Sequence, residues 1–244
     1  MIYNYNIRPY IVINGISSQL IKGLIITKLP PITRAAQRTL TEEISGRDGD
    51  LVTPLGFSSY DKAIEIGLAG AYDVDDIITY FSTSGRVVFS NESDKYYKFA
   101  CYDAINFNKL VRYKKATVNL HCQPFKYSEN EGLRVFDEIG AGVLIRNSGN
   151  YYSRPTIYIT GAGDVSLKIN GESVLELSLA PQGQTIIIDC EEMEAYNENR
   201  TILLNRLVSG NYDNVRLKSG DNIISFSGAG VVTKLQIENF SRWL

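Results

Sequence analysis

The residue types that could do chemistry in this chain are a single histidine, three cysteines and two dense groups of carboxylates. His121 excludes any centre that needs two imidazoles. A Ser-His-Asp arrangement needs only one, but no G-x-S-x-G segment accompanies it. Ala116, Val118, Leu120 and Cys122 alternate with Thr117, Asn119, His121 and Gln123, which places His121 on the polar, solvent-facing side of a strand with no evident partner. Asp73, Asp75 and Asp76 invite a calcium reading. The EF-hand spacing then requires Gly and Glu where Ile78 and Ser84 stand, and helix capping accounts for all three. Glu191, Glu192 and Glu194 are sequence neighbours at a strand end. Glycosidase carboxylates instead flank a cleft, so a solvated acidic loop is expected. Gly161-Ala162-Gly163 lacks the third glycine and the following helix of a phosphate loop, and is expected to be a tight hairpin turn. Cys101, Cys122 and Cys190 are odd in number and widely spaced, without C-x-x-C, as reduced thiols made in a cytoplasm would be. The sequence therefore assigns no catalytic, cofactor-binding or metal residues, no cofactor and no enzyme activity.

Binding to a polyanion or a bilayer is equally unsupported. The net charge is −2 and the pI about 5.6 over 244 residues. Residues 1–130 carry 15 Lys+Arg against 13 Asp+Glu, and residues 131–244 carry 10 against 14, so the two parts hold +2 and −4. Neither is a basic nucleic-acid domain. Arg112-Tyr113-Lys114-Lys115, the only basic cluster with an aromatic in it, is expected to be an exposed strand end. No stretch approaches the roughly 20 apolar residues that span a membrane. The opening Met1–Asn6 lacks the basic and apolar regions of a secretion signal. Tyrosine is abundant at 16 residues. In the adjacent pairs Tyr96-Tyr97 and Tyr151-Tyr152, one ring of each is expected to face inward and the other to serve an interface, a sugar or a cross-strand pair.

The elements that hold these residues are mostly strands. Tyr10–Ile13 and Gly23–Thr27 flank the hairpin signal Asn14-Gly15. Residues 32–50 are polar and charged, as a long exposed loop or extended arm would be, and Phe57–Ile66 can return as a strand. A helix near 73–82 is capped by Asp73, with Val74, Ile77, Ile78 and Phe81 as its apolar stripe. A hairpin over 86–102 and the strand through Cys122 follow. Tyr127–Gly142 is charged and Gly-bearing, and is the candidate linker. Beyond it come short strands at 156–160, 165–169, 174–179, 185–189, 223–227 and 231–237. Asn170-Gly171 and Pro181-Gln182-Gly183 are taken as turns between them. This pattern is that of a β-sandwich or jelly roll. The fold class is thus mainly β: a β-rich domain with one α-helix over 1–130, and a sandwich over 131–244.

The order of short motifs is informative. Leu29-Pro30-Pro31 leads through the polar arm to Ser45-Gly46-Arg47-Asp48-Gly49-Asp50-Leu51. After the capped helix come Gly85-Arg86-Val87-Val88-Phe89-Ser90 and Asp94-Lys95-Tyr96-Tyr97. The second half adds Pro155-Thr156-Ile157, Ile169-Asn170-Gly171, Ile188-Asp189-Cys190-Glu191 and Gly220-Asp221-Asn222. In this order the chain resembles the distal tail protein (Dit) family of long-tailed, non-contractile phages. The resemblance implies a virion structural protein of the phage tail. Its N-terminal domain would form a homo-hexameric ring, a baseplate hub joining the tail tube to the tail fibre, and its C-terminal domain would be a galectin-like β-sandwich. It places the protein at the virion tail tip after assembly in the bacterial cytoplasm. Tyr80-Phe81 stands where the family pattern suggests Trp-Leu, and the inserted carbohydrate-binding module of some relatives is missing. The alternative is a lectin-like carbohydrate-binding module for host attachment. Galectin-type sites stack sugar on a mid-strand Trp beside His and Arg, whereas here the only Trp is Trp243 and the only His lies in the other domain.

Overall fold

The computed structural model describes residues 8–102, 105 and 107–244, so the opening Met1–Asn6 lies outside the described residues. The chain is mostly β and divides into two compact units, Met1–Glu129 with Leu244, and Asn130–Trp243. No helix among the described residues is long and apolar enough to cross a membrane.

Unit 1 is built from strands β1 (Ile11–Ile13), β2 (Ile16–Ser17), β3 (Leu24–Lys28), β4 (Gln37–Glu43), β5 (Asp50–Phe57) and β6 (Tyr60–Leu68). Helix α1 (Val74–Phe81), β7 (Ser84–Phe89), β8 (Lys95–Ala100), helix α2 (Phe107–Tyr113) and β9 (Lys115–Ser128) complete it. The main sheet is antiparallel in the order β2-β1-β7-β8-β9-β6-β3. Asn14 and Gly15 both take positive φ, 49° and 85°, as the two-residue β1–β2 turn requires. Asp73 caps α1 by accepting from the amides of Asp75 and Asp76 at 2.9 and 3.5 Å. Ile77, Tyr80 and Phe81 bury with Ile11, Ile13 and Val87 in one apolar cluster. Tyr80 adds its hydroxyl, which donates to the carbonyls of Ile11 and Ile16.

Two readings of unit 1 need correction. Arg112–Lys115 is exposed, but only Lys115 is a strand end: Arg112 and Tyr113 close α2, a helix with no counterpart among the expected elements, and Lys114 at φ 58° turns the chain from helix into β9. Nor does an open linker begin at Tyr127. β9 runs on to Ser128 with Lys126 and Tyr127 buried, and Arg134–Phe136 forms a strand of unit 2.

Lys126 is buried because Glu92 receives it. Their N–O distance is 2.7 Å, and the side chains are 8% and 12% exposed. The other oxygen of Glu92 accepts from the Tyr97 hydroxyl at 3.2 Å. Lys62 is buried close by, with its ammonium 4.6 Å from the Tyr97 ring centre and 5.0 Å from that of Tyr60. Burial pulls the Lys62 pKa below the ordinary lysine value, while Glu92 opposes that shift. Burial also pushes Tyr97 far above the usual phenol range. This cluster ties β6, β8 and β9 together across the sheet.

Unit 2 contains β10 (Arg134–Phe136), β11 (Val143–Asn147), β12 (Thr156–Ile169), β13 (Glu172–Asp189), β14 (Glu194–Asn197), β15 (Val208–Gly210), β16 (Gly220–Gly228) and β17 (Val231–Glu238). The four short strands expected over 156–189 are two long ones. Thr156–Ala162 of β12 pairs with β17, and Val165–Ile169 of the same strand pairs with β16. Gly161-Ala162-Gly163 is therefore a bulge in a continuous strand, not a hairpin turn. The β12–β13 register jumps there from Gly161↔Gln184 to Gly163↔Leu179, so Pro181-Gln182-Gly183 is the matching irregularity in β13. A bulged strand can pass from one layer to the next, and the sheet curls over a single apolar cluster that includes Ile157, Ile159, Val165, Leu167, Leu235 and Ile237. Asn170-Gly171, by contrast, is the tight turn its sequence indicates, with φ of 53° and 89°. Glycine is needed at the bend because a Cβ on Gly161 would sit 2.3 Å from the Val231 carbonyl oxygen, and one on Gly230 would sit 2.5 Å from that of Ala162.

Two stability predictions follow from this packing. Glu92→Gln leaves a buried ammonium without its carboxylate and should lower unfolding stability in urea by about 3 kcal/mol. Glu65→Gln, which removes only the exposed 3.2 Å contact to Lys28, should cost less than about 1 kcal/mol. Gly161→Ala should cost about 2–3 kcal/mol by overpacking. Gly132→Ala, where a Cβ meets open space, should stay within about 0.5 kcal/mol in the same assay.

Candidate assembly surfaces

The residues with chemical potential are scattered through the fold, and most are occupied by structural partners. His121 is not a free strand residue. Its Nδ1 lies 2.8 Å from Oδ1 of Asp61, directly across the β6–β9 ladder, and its ring is 5.3 Å from that of Tyr102. The strand phase was legible, but the cross-strand partner depends on a register that no local signal supplies. Asp73 is used by its cap. Asp189 accepts from the amides of Glu191 and Glu192 and pairs with Arg200 at 3.3 Å. The Tyr196 hydroxyl donates to both Glu192 and Glu194. The acidic turn is thus an internally bonded feature of the β13–β14 connection. Cys101, Cys122 and Cys190 form no disulfide among the described residues; burial pushes Cys122 up to about 12 and Cys190 well above its ordinary value. Among the described residues no group of three or more His, Cys, Asp or Glu is placed to hold a metal.

The tyrosine pairs divide differently from expectation. Tyr97 is buried under Glu92, and Tyr96 turns outward to stack on Tyr127 at 5.5 Å, so this pair follows the strand alternation. Tyr151 and Tyr152 do not alternate, because they lie outside the long strands. Their rings meet at 4.6 Å, and both are half-buried. The guanidinium of Arg216 sits 4.5 Å from the Tyr152 ring centre and that of Arg242 sits 4.9 Å from it. Cations already pack on this ring, which leaves it a poor sugar platform.

The polar segment expected as a loop or arm is a β-ribbon. β4 and β5 pair with each other in a two-stranded sheet of their own. Every residue of both strands is exposed except Phe57 at the root. Leu40, Val52 and Leu55 are 47%, 55% and 54% exposed. A lone two-stranded ribbon is marginally stable in water at best, so its apolar side chains call for a cover. Its root is firmly held. The ammonium of Lys62 donates to the Pro31 carbonyl at 3.2 Å, and the Asn91 amide donates to that of Pro30 at 3.1 Å. The Tyr60 hydroxyl donates to the Thr33 carbonyl, Ala35 is buried, and Phe57 packs edge-on against Phe125 at 5.6 Å. The signal for the ribbon was present. Thr39-Leu40-Thr41 and Leu51-Val52-Thr53 are good β-formers, and Gly46-Arg47-Asp48-Gly49 between them is a turn.

A second surface surrounds the β1–β2 turn. On one side a cleft of about 440 Å3 is lined by Ile13, Ile16, Leu20, Ile21 and Tyr80 of α1, among others. On the other side an open depression of about 670 Å3 lies over β7 and β8, with Arg86, Tyr96 and Lys98 in its lining. Asn14 borders both. Its side chain accepts from the Arg86 amide and donates to the Ser84 carbonyl, which fixes the turn between them.

No protein-family model and no curated protein matches the chain. Among solved structures it is similar to the crystal structure of the Dit protein (gp 19.1) of SPP1, described as a paradigm of the hub adsorption apparatus in phages that infect Gram-positive bacteria. The two share 15% identity with a TM-score of 0.65, over 97% of this chain and 99% of that one. Over nearly its whole length, this chain has the fold of SPP1 Dit.

Proposed function

We propose that the chain is a non-enzymatic hub protein of a phage tail tip. The observation that carries this reading is the fold it shares with SPP1 Dit from end to end. In this reading unit 1 forms a homo-hexameric ring between the tail tube and the tail fibre, and unit 2 is a galectin-like sandwich. The protein assembles in the host cytoplasm and ends in the virion. The ribbon supports a ring. It projects exposed apolar side chains from a fixed root, and a closed cyclic assembly needs two different patches on each subunit. The scattered and internally bonded carboxylates, and the lone His121 paired to Asp61, support a structural role over a catalytic one. The lectin reading is weakened by the guanidinium groups packed on Tyr152.

Light scattering and negative-stain microscopy of the full chain test the ring directly. Six-fold rings are expected, and a strictly monomeric mass at every accessible concentration would overturn the reading. His121→Ala should leave the assembled mass unchanged and cost no more than about 1 kcal/mol, because its partner Asp61 is largely exposed. A larger loss, or loss of assembly, would give His121 a role that this reading denies it.

A further inference from the structure

Strand β11 leaves one side of its backbone open. Among the described residues it pairs with β16 alone, from Val143↔Ile224 to Asn147↔Gly220. The direction of its backbone groups follows from β16. On the β12 side, the Ile223 N–H donates to the Asn170 side chain at 3.0 Å, and the Ile223 carbonyl accepts from the Asn170 backbone N–H at 2.8 Å. Both groups of Ile223 therefore point away from β11, and Leu144 opposite it belongs to a pair that exchanges no hydrogen bonds. The N–H and carbonyl of Leu144 then point out from the sheet edge, as do those of Arg146 two residues on. These four groups are the pairing positions of a further ladder.

The side chains beside them carry a pattern. Val143, Ile145 and Asn147 are buried, while Leu144 and Arg146 face solvent. Leu144 is 58% exposed and stands opposite Ile223 at 50%, in the kind of pair whose side chains lie closest. Gly142 extends this apolar patch: a Cβ on it would sit 2.9 Å from Cγ2 of Ile223, so Ile223 lies over the bare start of the strand. Arg146 contacts Asp221 at 3.3 Å across the ladder, on the side away from the open edge, and both side chains are more than half exposed. A guanidinium has five donors, so one such contact leaves capacity for a second carboxylate. Natural edge strands are blunted by proline, by bulges or by charge. β11 has no proline and an unbroken register, and the residue at its centre on the exposed face is a leucine.

We infer that β11 accepts an extended segment of another protein as an added antiparallel strand, with an acidic residue beside Arg146 and a large apolar residue beside Leu144. Main-chain bonds supply affinity and the alternate side chains supply selectivity. Read from its N-terminus, the segment has the pattern acid-x-apolar-x-apolar, and its last apolar residue reaches the level of Gly142, where Ile223 is uncovered. A second copy of β11 fits less well. Laid antiparallel with Leu144 on Leu144, it brings Gly142 beside Arg146 and supplies no carboxylate. Moved one pairing step along, it sets Arg146 beside Leu144. The inference goes beyond the hub reading and stands without it, because the edge belongs to unit 2 of a single chain.

The probe is the peptide fluorescein-Thr-Glu-Thr-Val-Thr-Ile-Thr-amide, titrated with the full chain and read by fluorescence anisotropy. Saturable binding is expected, and Leu144→Lys and Arg146→Glu should each weaken it at least about tenfold. Both residues are exposed, so the variants should keep the wild-type circular dichroism spectrum and melting temperature. A peptide with Lys in place of Glu should recover binding to the Arg146→Glu chain. N-methylation of the peptide valine, whose N–H would donate to the Leu144 carbonyl, should cost at least about tenfold in affinity, whereas methylating the threonine before it, whose N–H points away, should cost less than about twofold. No saturable binding up to about 1 mM chain overturns the inference. So does equal loss from the two methylations, or binding that ignores both substitutions. If Leu144→Lys instead lowers the mass of the full chain in light scattering, a second copy occupies the edge and the inference also falls.

Discussion

The carboxylate of Glu92 is the point on which unit 1 depends. It lies at 12% exposure among two buried ammonium groups and a buried phenol, and it compensates for charges that would otherwise be costly in that position. Its consequences extend beyond the pair with Lys126. Lys62, held over Tyr60 and Tyr97, points its ammonium at the Pro31 carbonyl, and Asn91, next to Glu92 in sequence, holds the carbonyl of Pro30. The two prolines are the start of the segment that becomes the ribbon. A polar cluster inside the sheet therefore fixes the direction in which an exposed projection leaves it. Replacing a buried ion pair by an apolar cluster of the same volume is often neutral or stabilising, but it would leave the Pro31 carbonyl without the Lys62 ammonium it accepts from.

Much of unit 1 was legible because its signals are local. The Asn14-Gly15 turn, the Asp73 cap and the alternation of Ala116 to Cys122 are each decided by residues within a few positions of one another, and the structure shows all three. Helix α2 was not legible. Asn106, just before it in the sequence, is a residue type that caps helices, but seven residues are too few for a helical period to stand out, and the segment reads equally well as the approach to a strand. The partner of His121 was hidden for another reason. Asp61 is 60 residues away and meets it only through the β6–β9 register. The ribbon falls between these cases: its charges suggested a loop, and exposure was foreseen, but a strand with no buried face has no hydrophobic alternation to announce it.

In unit 2 the misreading has a single physical source. Glycine and proline were taken as ends of strands at Gly161-Ala162-Gly163 and at Pro181-Gln182-Gly183. Both segments lie at one level of the β12–β13 ladder, where the register jumps. A turn reverses the chain, while a bulge only bends it, and the two draw on the same residues. What distinguishes them is the neighbour. Gly161 lies against the Val231 carbonyl, and Gly230 against that of Ala162, so two glycine-containing segments approach backbone to backbone at the bend. Such an approach is invisible one segment at a time.

The same distinction between local and non-local information bears on assembly. A ring closes only if its two patches are held at a fixed angle, and a flexible arm would allow pairs and open chains as readily as a closed circle. Carbonyl contacts at Pro30, Pro31 and Thr33, together with the Phe57–Phe125 contact, brace both ends of the ribbon root against β6, β9 and the turn after β7. The β1–β2 turn is braced too, since Asn14 bonds it to β7. The ribbon root and the β1–β2 turn are thus each tied to strands of one sheet, and the angle between them is set by the rigidity of that sheet. In the proposed ring, substitutions in the Glu92 cluster should therefore alter the geometry of the closed circle as well as stability, because the direction of the ribbon depends on that cluster.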